Sequence, residues 1–264
     1  MRKLVFTAIA LAIGSSPVLA APATRGEVQL AQIEPAQYAE GVISAIDRTR
    51  YTLTMDGLTY AVAPNDLYLF QPGEQVRIAY LPQSAALDRS FPISLFDLVA
   101  AGLWHRSGAF GGLSRKDQNA VHDVFARVGL QGFEKRTLDA LSGGQLQRAL
   151  FARLMLQDAD LILLDEPLAN LDYKLREELR DELPRLFAGR DAIVVYATTE
   201  PTEALLFGGN TATLHEGRIT QFGQTAATYR RPRDLVTAQV FSDPPINTAR
   251  VEKKGGKINL FDGV

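Results

Sequence analysis

The sequence predicts an α/β fold: a parallel sheet with a helical insert, preceded by a small all-β module. Three observations carry this. "ADLILLDEP" and "DAIVVYATT" are apolar runs of strand length, as expected of strands buried on both faces of a parallel sheet. Segments of helical period stand before and between them, the alternation that builds such a sheet. Residues 39 to 80 instead alternate with period two and contain turn pairs, the pattern of antiparallel strands.

The elements follow in order. "EGVISAID", "YTLTM", "LTYAV" and "EQVRIAY" read as strands. Asp56-Gly57 between the second and third marks a tight hairpin, because both turn residues need positive φ. Tyr51, Leu53 and Met55 would share one face, as would Leu58, Tyr60 and Val62. Pro72-Gly73 makes another turn. After Pro82 the period becomes helical in "ISLFDLVAAGL" and "SRKDQNAVHDVFARVGL". The second opens on a capping-box pattern, Ser114 and Asp117, and closes near Gly129. "GGQLQRALFARLML" reads as a helix starting at its glycines, and "YKLREELRDELPRLF" as a charged amphipathic helix. "TATLHEGRITQFG" is a hairpin around Glu216-Gly217. The tail from Pro244 is rich in Pro, Gly and Lys and reads as a loose end.

Composition narrows the function. The chain has 264 residues, a formal net charge of -2 and no cysteine. That charge gives no reason to expect nucleic acid, and disulfides and thiolate metal sites are excluded. His105, His122 and His215 follow no metal-ligand spacing. Arg2 and Lys3, the apolar "LVFTAIALAIG" and the small residues of "VLA-A" around Ala20 read as a secretory signal cleaved after Ala20. A buried N-terminal helix is the alternative. No other segment has the length and apolarity of a membrane span, so none is expected in the mature chain.

Two motifs carry chemistry. An apolar strand ending in Asp165 and Glu166 delivers two carboxylates where α/β sheets place their sites. Asp165 can hold Mg²⁺, directly or through water, and Glu166 can polarise an attacking water. Two solvated acids at a strand end are the plain alternative. In "LSGGQ", Gly143 and Gly144 at a helix start let backbone N–H groups approach an anion, and Ser142 adds a hydroxyl. A simple loop and N-cap would look the same.

"LSGGQ" followed by "LLDEP", 23 residues from Ser142 to Asp165, resembles the ATP-binding cassette (ABC) transporter ATPases. The resemblance makes Ser142, Gly143, Gly144 and Gln145 the signature that contacts the nucleotide of an opposite subunit. "YLPQ" resembles the Q-loop, with Gln83 near the metal, and "LANLD" the D-loop, with Asp172. Residues 79 to 167 are similar to metal-ion (zinc or manganese) importer ATPases, and residues 168 to 250 to carbohydrate or glycerol importer ATPases. Residues 1 to 78 resemble short secreted bacterial proteins of unknown function. The implied cofactors are ATP and Mg²⁺; the implied partners are a second ABC ATPase subunit and a membrane permease.

The chain departs from that family twice. A P-loop needs G-x-x-x-x-G-K-[ST]. The sole Gly-Lys pair, Gly256-Lys257, has Val251 for the first Gly and Ile258 for Ser or Thr, and lies after the Q-loop rather than before it. At the switch position, where the family usually has His, "VYATTEP" places Thr199, which cannot carry the same proton or charge.

Together these readings give a signal-like segment at 1–20, a small β-barrel-like module at 21–78, an ABC ATPase-like domain lacking the P-loop at 79–243 and a tail at 244–264. The helical subdomain is placed at about 92–157. The sheet would be incomplete, with a gap beside the strand at 192–197 where the family has its P-loop strand. Location is pulled two ways: the signal outward, the ATPase part toward the cytoplasmic face of the inner membrane. A composite joined near "RIAYLPQ" and near "LLDEPL" accounts for both.

Overall fold

The computed structural model describes residues 5–11, 37–49, 52–61, 70–83, 88–107, 112–216, 218–249, 251–254 and 257–260. Its strands are β1 (Val5–Leu11), β2 (Gln37–Asp47), β3 (Thr52–Met55), β4 (Leu58–Ala61), β5 (Gln75–Leu81), β6 (Leu161–Asp165), β7 (Ile193–Thr198), β8 (Asn210–His215) and β9 (Arg218–Gln224). They form one nine-stranded sheet in the order β4-β3-β2-β5-β6-β7-β1-β8-β9. The neighbours from β5 to β8 are parallel. The flanks, β4-β3-β2-β5 on one side and β8-β9 on the other, are antiparallel. The sheet is therefore mixed rather than purely parallel.

Period two sorts its residues between two cores. Ile162, Leu164, Val194 and Tyr196 face a helical layer; Leu161, Ile193 and Val195 face Ile43, Leu53, Met55 and Phe70. The helices of the insert are α1 (Leu95–Ala100), α2 (Trp104–Ser107), α3 (Arg115–Arg127) and α4 (Gly143–Leu156). They lie between β5 and β6 in sequence. Beyond β6 come α5 (Tyr173–Phe187), α6 (Pro201–Phe207), α7 (Thr225–Arg230) and α8 (Leu235–Val240). Ser114 caps α3 by accepting from the Asp117 amide at 3.2 Å, and Gly129 ends it with φ +68°. Asp56 and Gly57 turn the β3–β4 hairpin at φ 49° and 81°.

Three expectations change. The gap beside β7 is filled: β1 pairs in parallel with β7 on one side and β8 on the other. Its sequence, VFTAIAL, is a β-branched, apolar heptapeptide. That composition suits a central parallel strand as well as it suits the apolar region of a signal. It is a strand and not the alternative helix. Arg2, Lys3 and the Ala20 cleavage point lie outside the described residues. Second, β5 belongs to the antiparallel flank and the parallel core at once, so the boundary between residues 78 and 79 falls inside a strand. Third, the tail contains an antiparallel hairpin, β10 (Val251–Lys254) with β11 (Lys257–Leu260). Tyr51, Val62, Gly217 and Gly256 lie outside the described residues.

Candidate functional site

Parallel strands bring their carboxyl ends to one side, and β5, β6 and β7 deliver Gln83, Asp165 with Glu166, and Thr199 there. Tyr80, near the end of β5, donates its hydroxyl to Asp165 Oδ2 at 3.3 Å. Burial pushes the Asp165 carboxyl above its ordinary range, against the stabilising Tyr80 hydroxyl and Gln83 amide. Burial beside Asp165 likewise pushes the Tyr80 phenol up to about 12. Gln83 is held from both sides, since Asn170 Nδ2 donates to its carbonyl at 3.2 Å.

Glu166 is 9% exposed and has φ +44°, a left-handed conformation that a side chain adopts only when surrounding bonds fix it. Those bonds are present. The Glu166 amide donates to the Ala197 carbonyl at 2.9 Å and its carbonyl accepts from Ala169 at 3.1 Å. Its carboxylate accepts from the Thr199 amide, Oε1 to N, at 2.7 Å. The strand-end acid is thus tied to the next strand's exit turn.

A second cluster forms at the start of α4. Ser142 Oγ accepts from the Gln145 amide at 3.2 Å, and Gln145 Oε1 accepts from the Ser142 amide at 3.0 Å. This is a complete capping box. Gly144 packs beneath Leu175 of α5: a Cβ there would meet Leu175 Cδ2 at 2.3 Å, whereas one on Gly143 would meet only Leu171 at an ordinary 3.9 Å. Asp172 caps α5, its Oδ1 accepting from the Leu175 amide at 3.0 Å. No hydrogen bond among the described residues joins Ser142–Gln145 directly to Asp165, Glu166 or Thr199. The 169–172 loop lies between the groups, with Asn170 on Gln83 and Leu171 beside Gly143. Arg176 fastens this loop, donating to the Leu171 carbonyl at 3.2 Å and pairing with Glu200 at 3.4 Å.

Tyr80, Asn170, Arg176, Tyr196 and Glu203 were not singled out from sequence. Asn170 sits inside the "LANLD" motif, and Tyr80 immediately precedes "LPQ". Glu203 has no such signal: only the fold shows that it is buried, 3% exposed.

Asp165, at the carboxyl end of β6 with the Gln83 backbone amide beside it, and Gln83 are the residues that could hold a Mg²⁺ ion taking most of its ligands from phosphate and water. Among the described residues no group of three His, Cys, Asp or Glu side chains could hold a metal by itself. The phosphate side is not matched in the sequence, which has no G-x-x-x-x-G-K-[ST].

Residues 64–169 match the ABC transporter family, beginning in the stretch read as the β module. A spermidine/putrescine import ATP-binding protein of Marinobacter nauticus is 35% identical over 202 residues, covering 76% of this chain and 52% of that protein. A xylose/arabinose import ATP-binding protein of Haloferax volcanii is 38% identical over 143 residues, 54% of this chain and 34% of that one. A probable metal transport system ATP-binding protein of Chlamydia trachomatis is 38% identical over 141 residues, 53% and 54% of the two chains. The chain thus spans only about a third to a half of these relatives' length. Among solved structures, a metal-chelate type ABC transporter in an inward-facing conformation superposes with a TM-score of 0.55 at 20% identity. The match covers 85% of this chain and 96% of that one, and speaks to the fold. Strand order and the helical insert between β5 and β6 define an α/β domain of the ABC ATPase fold. The chain carries an ABC transporter ATP-binding domain, and its relatives are of the importer type.

Among the described residues no helix is long and apolar enough to cross a membrane.

Proposed function

We propose that this chain is a degenerate ATP-binding subunit of an ABC solute importer. In this reading it contributes its signature to the ATP site of a partner ATPase and lacks a tight site of its own. One observation carries this: Gly143 is exposed at the capped start of α4, and a Cβ there would make only one ordinary contact, 3.9 Å from Leu171 Cδ2. The neighbouring Gly144 is small because Leu175 demands it; Gly143 answers to no such demand. A bare helix start with free approach to its amides suits a phosphate. The partners in this reading are a second ABC ATPase and a membrane permease, with ATP and Mg²⁺ shared across the subunit interface. The solute would be chosen by other subunits.

P-loop amides and lysine supply most phosphate contacts in such enzymes, so the isolated chain is expected to bind Mg-ATP weakly. Low-micromolar affinity in calorimetry would overturn that. Mixing the full chain, which keeps the central strand β1, with an intact importer ATPase trapped on ATP by Glu→Gln should give ATP-dependent heterodimers. Ser142→Arg should abolish them, because a bulky cation blocks the amides. If no mixed species forms at high protein concentration, the partner-site reading is wrong. Any hydrolysis should disappear with Glu166→Gln; activity that survives comes from a contaminant.

A second reading has its own support. The Ser142 hydroxyl and Gln145 amide group are both used in the capping box, so the signature also serves as a helix start. On that reading the chain is a composite without catalysis, and its N-terminal segment, if a secretory signal, places it in the periplasm.

A further inference from the structure

The 198–200 turn has a buried support. Glu203, in the first turn of α6, is 3% exposed, and Thr198 and Tyr196 above it are fully buried. Its Oε2 accepts from the Thr198 hydroxyl at 2.6 Å and from the Tyr196 hydroxyl at 2.9 Å. Having donated its proton downward, the Thr198 Oγ1 accepts from the Glu200 amide at 3.0 Å. That bond fixes the peptide planes on either side of Thr199, whose own amide then points at Glu166 Oε1, 2.7 Å away. Removing an acceptor from a buried hydroxyl leaves that donor unsatisfied and releases what it orders.

We propose that Glu203 is a positioning residue for Glu166, acting through Thr198 and the backbone amide of Thr199. The inference rests on the reading of Glu166 as the water-polarising carboxylate, but the linkage itself belongs to the nucleotide-free chain. It also accounts for the tolerance of Thr at residue 199. The contact that holds Glu166 is made by backbone, so the side chain at 199 is not needed for it. Arg176, reaching Glu200 at 3.4 Å, steadies the same turn from the 169–172 loop.

The experiment is amide hydrogen exchange by NMR on the full chain without nucleotide. Thr199 is solvent-exposed, so slow exchange of its amide reports the bond to Glu166. Glu166→Ala should speed that exchange at least about tenfold, establishing the reporter. Glu203→Ala and Thr198→Val should do the same while the amides of Val194 to Tyr196 stay protected. Glu203→Gln and Thr198→Ser, which keep an acceptor and a hydroxyl, should restore protection, and Thr199→Ala should leave it unchanged. Should Glu203→Ala unfold the chain, Thr198→Val decides. The proposal is overturned if Thr199 keeps its protection in Thr198→Val or Glu203→Ala, or if Glu203→Gln fails to restore it. A chain that shows this linkage and yet never meets ATP would fail the proposed function while leaving the linkage standing.

Discussion

Gly144 lies directly beneath Leu175: a methyl group at residue 144 would stand 2.3 Å from Leu175 Cδ2 and 2.9 Å from its Cγ. Gly144→Ala should therefore destabilise the fold although alanine favours helices by about 1 kcal/mol. Overpacking costs typically about 1–3 kcal/mol. Leu175 is only half-buried and can turn, so a net loss of about 1 kcal/mol is expected. Gly143→Ala, whose Cβ would make only an ordinary 3.9 Å contact with Leu171, should stay within about 0.5 kcal/mol of the parent. Urea midpoints of the two variants check this; equal losses at both positions would show that packing does not explain Gly144.

Gly102 should be less forgiving. It lies in the turn of 3₁₀ helix that follows α1 (Ala101–Leu103), and a Cβ there would come within 2.4 Å of the Arg153 carbonyl oxygen of α4. That obstacle is backbone and cannot swing aside. Gly102→Ala should cost about 3 kcal/mol, the upper end of overpacking, and weaken the helical insert first. Thermal melts followed by near-ultraviolet dichroism, which senses the Trp104 environment, provide the measurement. A melting temperature within a degree or so of the parent would mean that the α1–α4 contact is not rigid.

Most of the fold was legible because its cues are local. "YKLREELRDELPRLF" became α5 with both ends in place, since a charged amphipathic run after Asp172 has one sensible start. Asp165 and Glu166 stand out in the sequence because an apolar strand ending in two acids is unusual. What sequence could not show was tertiary. VFTAIAL suits a signal and a central strand equally, and only pairing with β7 and β8 chooses the strand. The buried role of Glu203 depends on Tyr196 and Thr198 lying over α6, a contact invisible in "EPTEALLF".

The pH dependence of stability should carry the mark of Glu203. Burial raises its carboxyl above the ordinary 4.5, with Glu166 and Glu200 adding repulsion against the hydroxyl bonds of Thr198 and Tyr196. The folded chain then holds this proton more tightly than the unfolded chain. Its contribution is greatest below pH 4.5 and is lost as pH rises through the folded value. Other carboxyls, such as Asp117 and Asp234, are shifted down and act in the opposite sense, so the parent curve alone is uninformative. The difference in unfolding free energy between the parent and Glu203→Gln should fall as pH rises from about 4 to about 8. A flat difference would mean that burial does not perturb Glu203.

Ser142 can be made to separate its two roles. Asp caps a helix about as well as Ser, and a negative charge at a helix start is favoured by the helix dipole. Ser142→Asp should therefore leave stability within about 0.5 kcal/mol of the parent, while Ser142→Ala, which loses the cap, should cost about 1 kcal/mol. Toward a partner's ATP the order reverses. A carboxylate beside the α4 amides repels phosphate oxygens at close range, whereas Ala removes one hydroxyl and leaves the amides open. If the signature completes a partner's site, Ser142→Asp abolishes ATP-dependent pairing with a trapped importer ATPase, and Ser142→Ala weakens it by about tenfold, the value of one hydrogen bond to a charged group. Light scattering of the mixed proteins, run beside urea unfolding of each variant alone, reads both effects. Pairing that survives Ser142→Asp undiminished would reduce Ser142 to a helix cap and remove the ground for a role at a partner's nucleotide.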